Sequence, residues 1–530
     1  MNKVKENKAV FYLKIFEYGL LIGLCIWLPR IFSFFWGNHD WPYVKNGILI
    51  DDGLFEARYS QPLPMVLFFN GQILPVLLLL FTICFLIAMS ILIARYLDIP
   101  KTIFSYLLLV SVVVSLPHIA ILFYFVHYMF SLAFWGCVGV GLLFLSEEKY
   151  KIWKFLCGML GVAILLGSYP PILALLGVLF VGKRIFAYVN QQQDMKRLLI
   201  NIVFCSAQLI GAFLIYKCIL AYFVSINRVN TGMYNLSTYT VWEVLRHIPT
   251  EFVAAFNFLA DLQRSFGNIY GFFFTMLLFC GVGFIFYKAK NKIVALLLIV
   301  VLLLVSRLPF LLAGASYIAY FRVCLWGELG LIVVCLATLL AENRQYIRNL
   351  LWALGIVFVC YFVRIDLEIQ KVQQFMFYSE RLFQKRVEEK LFAYPSFDLK
   401  NKYITLNFGY PKFQQHFCYN DCKGFNNDVL DKTVLEAYFG QVIFWDEVMQ
   451  PSVIKLGVWG GIMYLVDSSL GQRDVFQDNV QNIRYWAYMN AEKYPFKTAL
   501  YVDNVFLIFV FDKIFFDKNK EIVLHQLQIK

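Results

Sequence analysis

Between Gly37 and Pro64 the chain reads GNHDWPYVKNGILIDDGLFEARYSQPLP, which places Asp40, Asp51, Asp52, Glu56 and Arg58 together in a sequence otherwise poor in acids. Carboxylates and a guanidinium this close in sequence can divide the work of a transfer reaction. A carboxylate within hydrogen-bond reach of an attacking hydroxyl takes its proton, while an arginine fork holds a departing phosphate. The same residues would also furnish an ordinary solvated loop, so their setting decides the weight given to chemistry. Long apolar runs flank the stretch on both sides.

Those runs follow from the composition. The 530 residues are 60% hydrophobic and 15% charged, with a mean hydropathy of +0.65. Soluble domains carry about 25% charged residues, so this chain has too little polar surface for water and reads as a polytopic α-helical membrane protein. Spans are expected at roughly 10–34, 63–94, 102–118, 122–146, 152–168, 170–183, 198–224, 268–287, 291–312, 316–340 and 348–364, about eleven crossings. The first run is too long for a cleaved signal and lacks a small-residue cleavage site. In GSYPPILALLG, Pro170 and Pro171 are expected to end one helix and begin the next.

The formal net charge of +12 suggests nucleic acid only until the bases are placed. They fall in short clusters between apolar runs: Lys3, Lys5 and Lys8; Arg95 and Lys101; Lys149, Lys151 and Lys154; Lys183, Arg184, Lys196 and Arg197; Lys288, Lys290 and Lys292; Arg344 and Arg348. With the N-terminus inside, every cluster lands in the cytoplasm, as the positive-inside rule requires. The charge therefore reports orientation, and the expected partner is the lipid bilayer, with no nucleic acid.

Two domains are expected: a membrane module at 1–364, with outer loops at 35–62 and 225–267, and an extracytoplasmic mixed α/β domain at 365–530. The second outer loop contains TVWEVLRHIPTEFVAAFNFLADLQRSF, whose apolar spacing suits amphipathic helices at the membrane surface. The C-terminal part opens with a charged helical pattern and continues with strand-like runs such as KYITLNFG, GGIMYLVD and ALYVDNVFLIFVFD. Its Cys418 and Cys422 form either a local disulfide or two free thiols. No ligand set for a metal is evident.

Phosphate-cradling Gly-rich loops, HExxH and GxSxG are all missing, and VGVG at 138–141 lies in a span, where small residues let helices pack closely. Charged residues near the outer ends of spans are more telling. Arg307 lies in VSRLPF, and Arg322 and Glu328 lie in YFRVCLWGELG. Ionised groups at membrane depth line polar cavities or pair with one another. Six residues is about 1.7 helical turns, so Arg322 and Glu328 point in different directions and do not make a simple pair. Arg322 is expected to face a substrate phosphate or a partner helix, and Glu328 to be structural. An acid-rich outer loop with arginines nearby suits glycosyl transfer from a polyprenyl-phosphate sugar.

The arrangement resembles the integral-membrane glucosyltransferases of the GtrII type and, more broadly, the GT-C superfamily. HDWPY stands where that family has an acidic DD-like element, EARYSQPL where it has a DGRPL-like element, and GSYPPILALL where it has SYQ. The resemblance implies a catalytic base at Asp40, with Asp52 a second candidate. It implies substrate contacts at Glu56, Arg58 and Tyr169, to which the loop acid Asp51 and the membrane-depth arginines Arg307 and Arg322 add further substrate-binding candidates. His39, Ala57 and Pro170 depart from the family pattern, which leaves Asp40, Asp51 and Asp52 in competition for the base. The implied reaction is an inverting transfer of a sugar, glucose foremost, from a polyprenyl-phosphate donor to a cell-surface glycan such as O-antigen. It would run on the outer face of a bacterial inner membrane, with no metal and no cofactor besides the lipid-linked donor. A transporter or flippase, a glycan ligase or polymerase, and a non-catalytic assembly factor are the competing classes. A flippase would show repeated halves, and none is visible here.

Overall fold

The computed structural model describes residues 8–32, 47–55, 58–122, 126–147, 152–189, 195–226, 242–253, 268–313, 320–341, most of 349–370, residue 374 and six short strands between 403 and 510. Asp40, Glu56, Cys418 and Cys422 lie outside the described residues. The chain divides into two compact units, with the described helices up to residue 370 in the first and the strands in the second.

The first unit is helical: α1 (Lys8–Phe32), α2 (Ile50–Phe55), α3 (Leu63–Phe69), α4 (Pro75–Tyr96), α5 (Ile103–Val114), α6 (Pro117–Leu122), α7 (Val126–Glu147) and α8 (Ile152–Leu166). It continues with α9 (Ile172–Val189), α10 (Met195–Ser225), α11 (242–253), α12 (Asn268–Lys288), α13 (Lys292–Ser306), α14 (Leu308–Ala313), α15 (Tyr320–Leu340) and α16 (352–367). Among the described residues, six helices are long and apolar enough to cross a membrane, within α1, α4, α7, α9, α10 and α12. Four shorter apolar segments accompany them, at Ile103–Ile119, Ile152–Leu166, Lys292–Ser306 and Leu325–Leu340. Large apolar side chains such as Leu21, Val203, Leu214, Phe279 and Leu297 are exposed, as suits helices whose solvent is lipid. By contrast, α15 is buried on every side from Leu325 to Leu340, as expected for a central helix that is hydrophobic all round. Hydroxyls inside the spans bond to their own helix: Thr82 donates to the Leu78 carbonyl and Ser90 to that of Leu86, each at 2.7 Å.

Helix termini follow local chemistry. Thr102 caps α5, its Oγ1 accepting from the Ser105 N–H at 3.1 Å, and Asn291 caps α13. Lys292 Nζ donates to the carbonyls of Phe286 and Tyr287, the latter at 2.8 Å, and so serves the last turn of α12.

Three of the expected single spans are broken. The run 63–94 divides into α3 and α4: Asn70 ends α3 in the left-handed region at φ 51°, and Pro75 begins α4. The run 102–118 divides at Ser115, before Pro117. The run 291–312 turns at Arg307, whose carbonyl accepts from the N–H groups of Phe310 and Leu311 on α14. Proline cannot donate the hydrogen bond that would carry a helix through these points. Two separate helices, α8 and α9, occupy 152–189 on either side of Pro170 and Pro171.

Contacts define two ends of this unit. At one, Arg95 lies over the rings of Tyr12 and Phe144, and Lys183 sits 4.0 Å from Asp98 and over Tyr96. At the other, Trp27 Nε1 donates to the Val114 carbonyl, and the segment after Arg58 meets the end of α8.

In the second unit the described strands are β1 (Tyr403–Phe408), β2 (Val453–Ile454), β3 (Leu456–Trp459), β4 (Ile462–Leu465), β5 (Ala499–Val502) and β6 (Phe506–Val510). They form one sheet in the order β3-β4-β1-β6-β5, with β2 also paired to β1. β1 runs parallel to β6, Ile404 opposite Phe506, while β3–β4 and β5–β6 are antiparallel.

Candidate active site

Arg58 stands at the start of a turn that leads into α3. Its N–H donates to the Gly53 carbonyl at 2.7 Å, tying it to the end of α2, and its carbonyl accepts from Gln61 N–H at 3.0 Å. The next two side chains fasten this turn to α8. Tyr59 Oη donates to the Ala163 carbonyl at 2.8 Å and Ser60 Oγ to that of Ile164 at 2.5 Å. These carbonyls belong to the last turn of α8, where backbone partners run short, although the Ala163 carbonyl also accepts from the Gly167 N–H at 3.2 Å. Ser60 N–H adds a bond to the Gly167 carbonyl at 3.0 Å, and Trp135 Nε1 donates to the Ser60 carbonyl at 3.0 Å. Gly167 lies against the Tyr59 ring so closely that a Cβ would collide with it. Burial pushes the Tyr59 phenol well above its ordinary pKa, with Tyr216 adding to the shift, so it stays a hydrogen-bond donor.

These bonds set the guanidinium against two aromatic rings. Arg58 Nη1 donates to Tyr128 Oη at 3.3 Å, and its Cζ lies 5.7 Å from the Tyr128 ring centroid and 5.4 Å from that of Tyr169. The two tyrosines meet edge to face, 5.5 Å between centroids, and both are buried. Thus EARYSQPL and GSYPP, more than a hundred residues apart, supply one cationic cup, with α7 contributing Tyr128.

Asp51 and Asp52 occupy the first turn of α2. Asp52 Oδ2 accepts from the Leu49 N–H at 2.7 Å, the reach-back of a third-position acid to the capping residue, and carboxylates in a first turn also suit the helix dipole. Asp51 is exposed.

Arg307 is buried at the end of α13. Its Nε donates to Glu251 Oε2 on α11 at 2.8 Å, and its guanidinium lies 4.4 Å from the centroid of Phe310. One residue earlier, the Ser306 carbonyl lies against Gly327, so closely that a Cβ there would overlap it. Beside Gly327, Glu328 Oε2 sits 3.0 Å from His118 Nε2, with both side chains buried. Glu328 therefore joins α15 to α6, consistent with a structural role. Arg322 lies on α15. Among the described residues no three His, Cys, Asp or Glu side chains gather as a metal site would require.

Sequence reasoning missed Tyr128, His118 and Glu251. Each sits in or beside an apolar or amphipathic run that gives no local sign of its partner.

A bundle of apolar helices, with a half-buried arginine held on two tyrosines and a buried arginine paired to a glutamate, defines a polytopic membrane protein. The family model described as glucosyl transferase GtrII matches residues 57–328, from just before Arg58 through Glu328. The chain belongs to this family of glucosyltransferases. Asp40, Asp51, Asp52 and Glu56 precede the matched stretch. No curated protein and no solved structure matches the chain.

Proposed function

We propose that this glucosyltransferase moves glucose from a polyprenyl-phosphate donor to a cell-surface glycan such as O-antigen, on the outer face of a bacterial inner membrane. The observation that carries the reading is the Arg58 cup: a half-buried guanidinium set by backbone bonds and held against two tyrosines. A planar fork so placed suits a phosphate monoester, whose oxygens accept two parallel N–H bonds. The apolar helices of the same unit suit a lipid carrier.

In the proposed reaction a carboxylate of the first outer loop, Asp40 foremost and Asp52 next, takes the proton of the acceptor hydroxyl. The hydroxyl oxygen attacks the anomeric carbon from the face opposite the phosphate. As the new glycosidic bond forms, the bond from carbon to phosphate oxygen breaks, and configuration inverts. The electron pair leaves on the polyprenyl phosphate, held by Arg58 with help from Arg307 and Arg322, while Asp51, Glu56 and Tyr169 border the sugar. The donor is the only co-substrate besides the acceptor, and no metal or cofactor takes part. In this reading the chain crosses the membrane about eleven times and carries an extracytoplasmic α/β domain after residue 364.

The test is purified protein in lipid with defined polyprenyl-phosphate sugars and a glycan acceptor. Sugar loss from polyprenyl-phosphate glucose is expected, and Asp40→Asn is expected to lower it by about 10²-fold or more while donor binding persists. Turnover only with nucleotide sugars or diphosphate-linked oligosaccharides would overturn the reading. Near-normal turnover in Asp40→Asn with a dead Asp52→Asn would move the base to Asp52.

A further inference from the structure

Arg307 is already neutralised by Glu251. We propose that Glu251 is a resident stand-in for the donor's phosphate: it occupies Arg307 until the phosphate displaces it. The inference rests on the donor reading above and adds to it a residue that sets donor affinity.

A buried guanidinium without an anion is costly, so a phosphate site built on one needs a placeholder when empty. Glu251 fits that part by chemistry and by position. Its carboxylate meets Arg307 Nε at 2.8 Å, the charge-assisted contact a phosphate oxygen would make. A phosphate monoester carries as much charge or more and offers more acceptor oxygens, so it competes for the same donor.

The two partners are anchored very differently. Arg307 is fixed: its carbonyl accepts from Phe310 and Leu311, its guanidinium rests on Phe310, and Ser306 beside it is packed on Gly327. Glu251 belongs to α11, in which no residue is buried and Trp242, Leu245 and Val253 are exposed. A carboxylate on a partly exposed helix regains polar surroundings at lower cost than a buried guanidinium does. Glu251, not Arg307, is therefore the side that yields.

The sign of the effect separates this role from simple scaffolding. If Glu251 competes with phosphate, removing its charge tightens phosphate binding; if it merely steadies Arg307, removal weakens it. The experiment uses the full chain in nanodiscs and measures binding of polyprenyl monophosphate, phosphatidic acid and inorganic phosphate. Glu251→Gln keeps size and an acceptor oxygen and loses the charge. It is expected to bind polyprenyl monophosphate about five- to tenfold more tightly, the factor by which a partly buried ion pair withholds its arginine. Arg307→Gln is expected to bind more weakly, and Glu251→Gln to add nothing in that background.

Unchanged or weaker binding in Glu251→Gln overturns the proposal. A gain for inorganic phosphate or phosphatidic acid with none for polyprenyl monophosphate also overturns it, since the freed arginine would then not be the donor's. If Glu251→Gln fails to fold, Glu251→Asp, one methylene shorter, is read in its place and is expected to shift affinity in the same direction. Failure of wild-type protein to bind polyprenyl monophosphate at all would instead sink the donor reading. Wild-type binding lost in Arg58→Ala would support that reading whatever Glu251 does.

Discussion

Arg58 owes its position to two kinds of force that substitution can separate. The backbone bonds to Gly53 and Gln61 place its Cα, while Tyr128 and Tyr169 orient the fork. Tyr128→Phe keeps the ring face and removes only the hydroxyl acceptor, so the donor KM is expected to rise severalfold with kcat nearly unchanged. Tyr128→Leu also removes the cation–π contact, worth about 0.5–2 kcal/mol, and is expected to raise KM by about tenfold or more. Steady-state kinetics over a donor titration decides this. A fall in kcat at constant KM would show that the hydroxyl acts on the transition state instead. The sequence exposed Arg58 as a cation in a polar loop, and Tyr169 only through the resemblance of GSYPPILALL to the family's SYQ element. Tyr128 in VHYMFSLAFW reads as one more aromatic of an apolar span, and only the packing of α7 against the turn gives it a task. Glu251 was hidden for a related reason, since its arginine lies 56 residues away.

At the scale of elements, the turn Tyr59–Ser60 and the end of α8 behave as one joint. Two side-chain donors serve carbonyls of the last turn, and the absence of a side chain at Gly167 admits the Tyr59 ring. Gly167→Val puts branched carbon where that ring lies and is expected to cost about 1–3 kcal/mol, as overpacking does. Because the same displacement moves Arg58, donor affinity should fall as well. Thermal unfolding beside donor binding reads both, and unchanged affinity in a destabilised variant would separate the joint from the cup. The division between α8 and α9 was legible because paired prolines act locally on the backbone. The breaks after Phe69, Val114 and Ser306 were not, although Pro75, Pro117 and Pro309 stand in the sequence. Hydropathy carries through a proline undiminished, so span-length windows join what the missing N–H divides. His118 and Glu328 show the same limit. Their 3.0 Å contact depends on where α6 ends against α15, which no spacing along the chain reports.

For the whole molecule, orientation follows from which groups collect at which end. One end carries Arg95, Asp98 and Lys183, and the chain path brings Lys288 and Lys292 to the same side. The opposite end carries Arg58 with its tyrosines, and α13 delivers Arg307 there from Lys292. Basic residues between spans are retained on the cytoplasmic side, so the first end is expected inside and the arginine cup outside. The cup would then meet a lipid-linked sugar in the outer leaflet, where surface glycans are also found. The alternation of basic clusters was readable from sequence alone, because charge near a span end acts without regard to packing. Fusions of a two-compartment reporter at Asn291 and Asp398 test the arrangement. Asn291, the cap of α13, is expected to give a cytoplasmic signal, and Asp398, beyond the last apolar helix, an external one. The same compartment for both would mean a miscounted crossing between them. An external Asn291 would turn the bundle over, placing Arg58 on the side of nucleotide sugars and removing the reason for a lipid-linked donor.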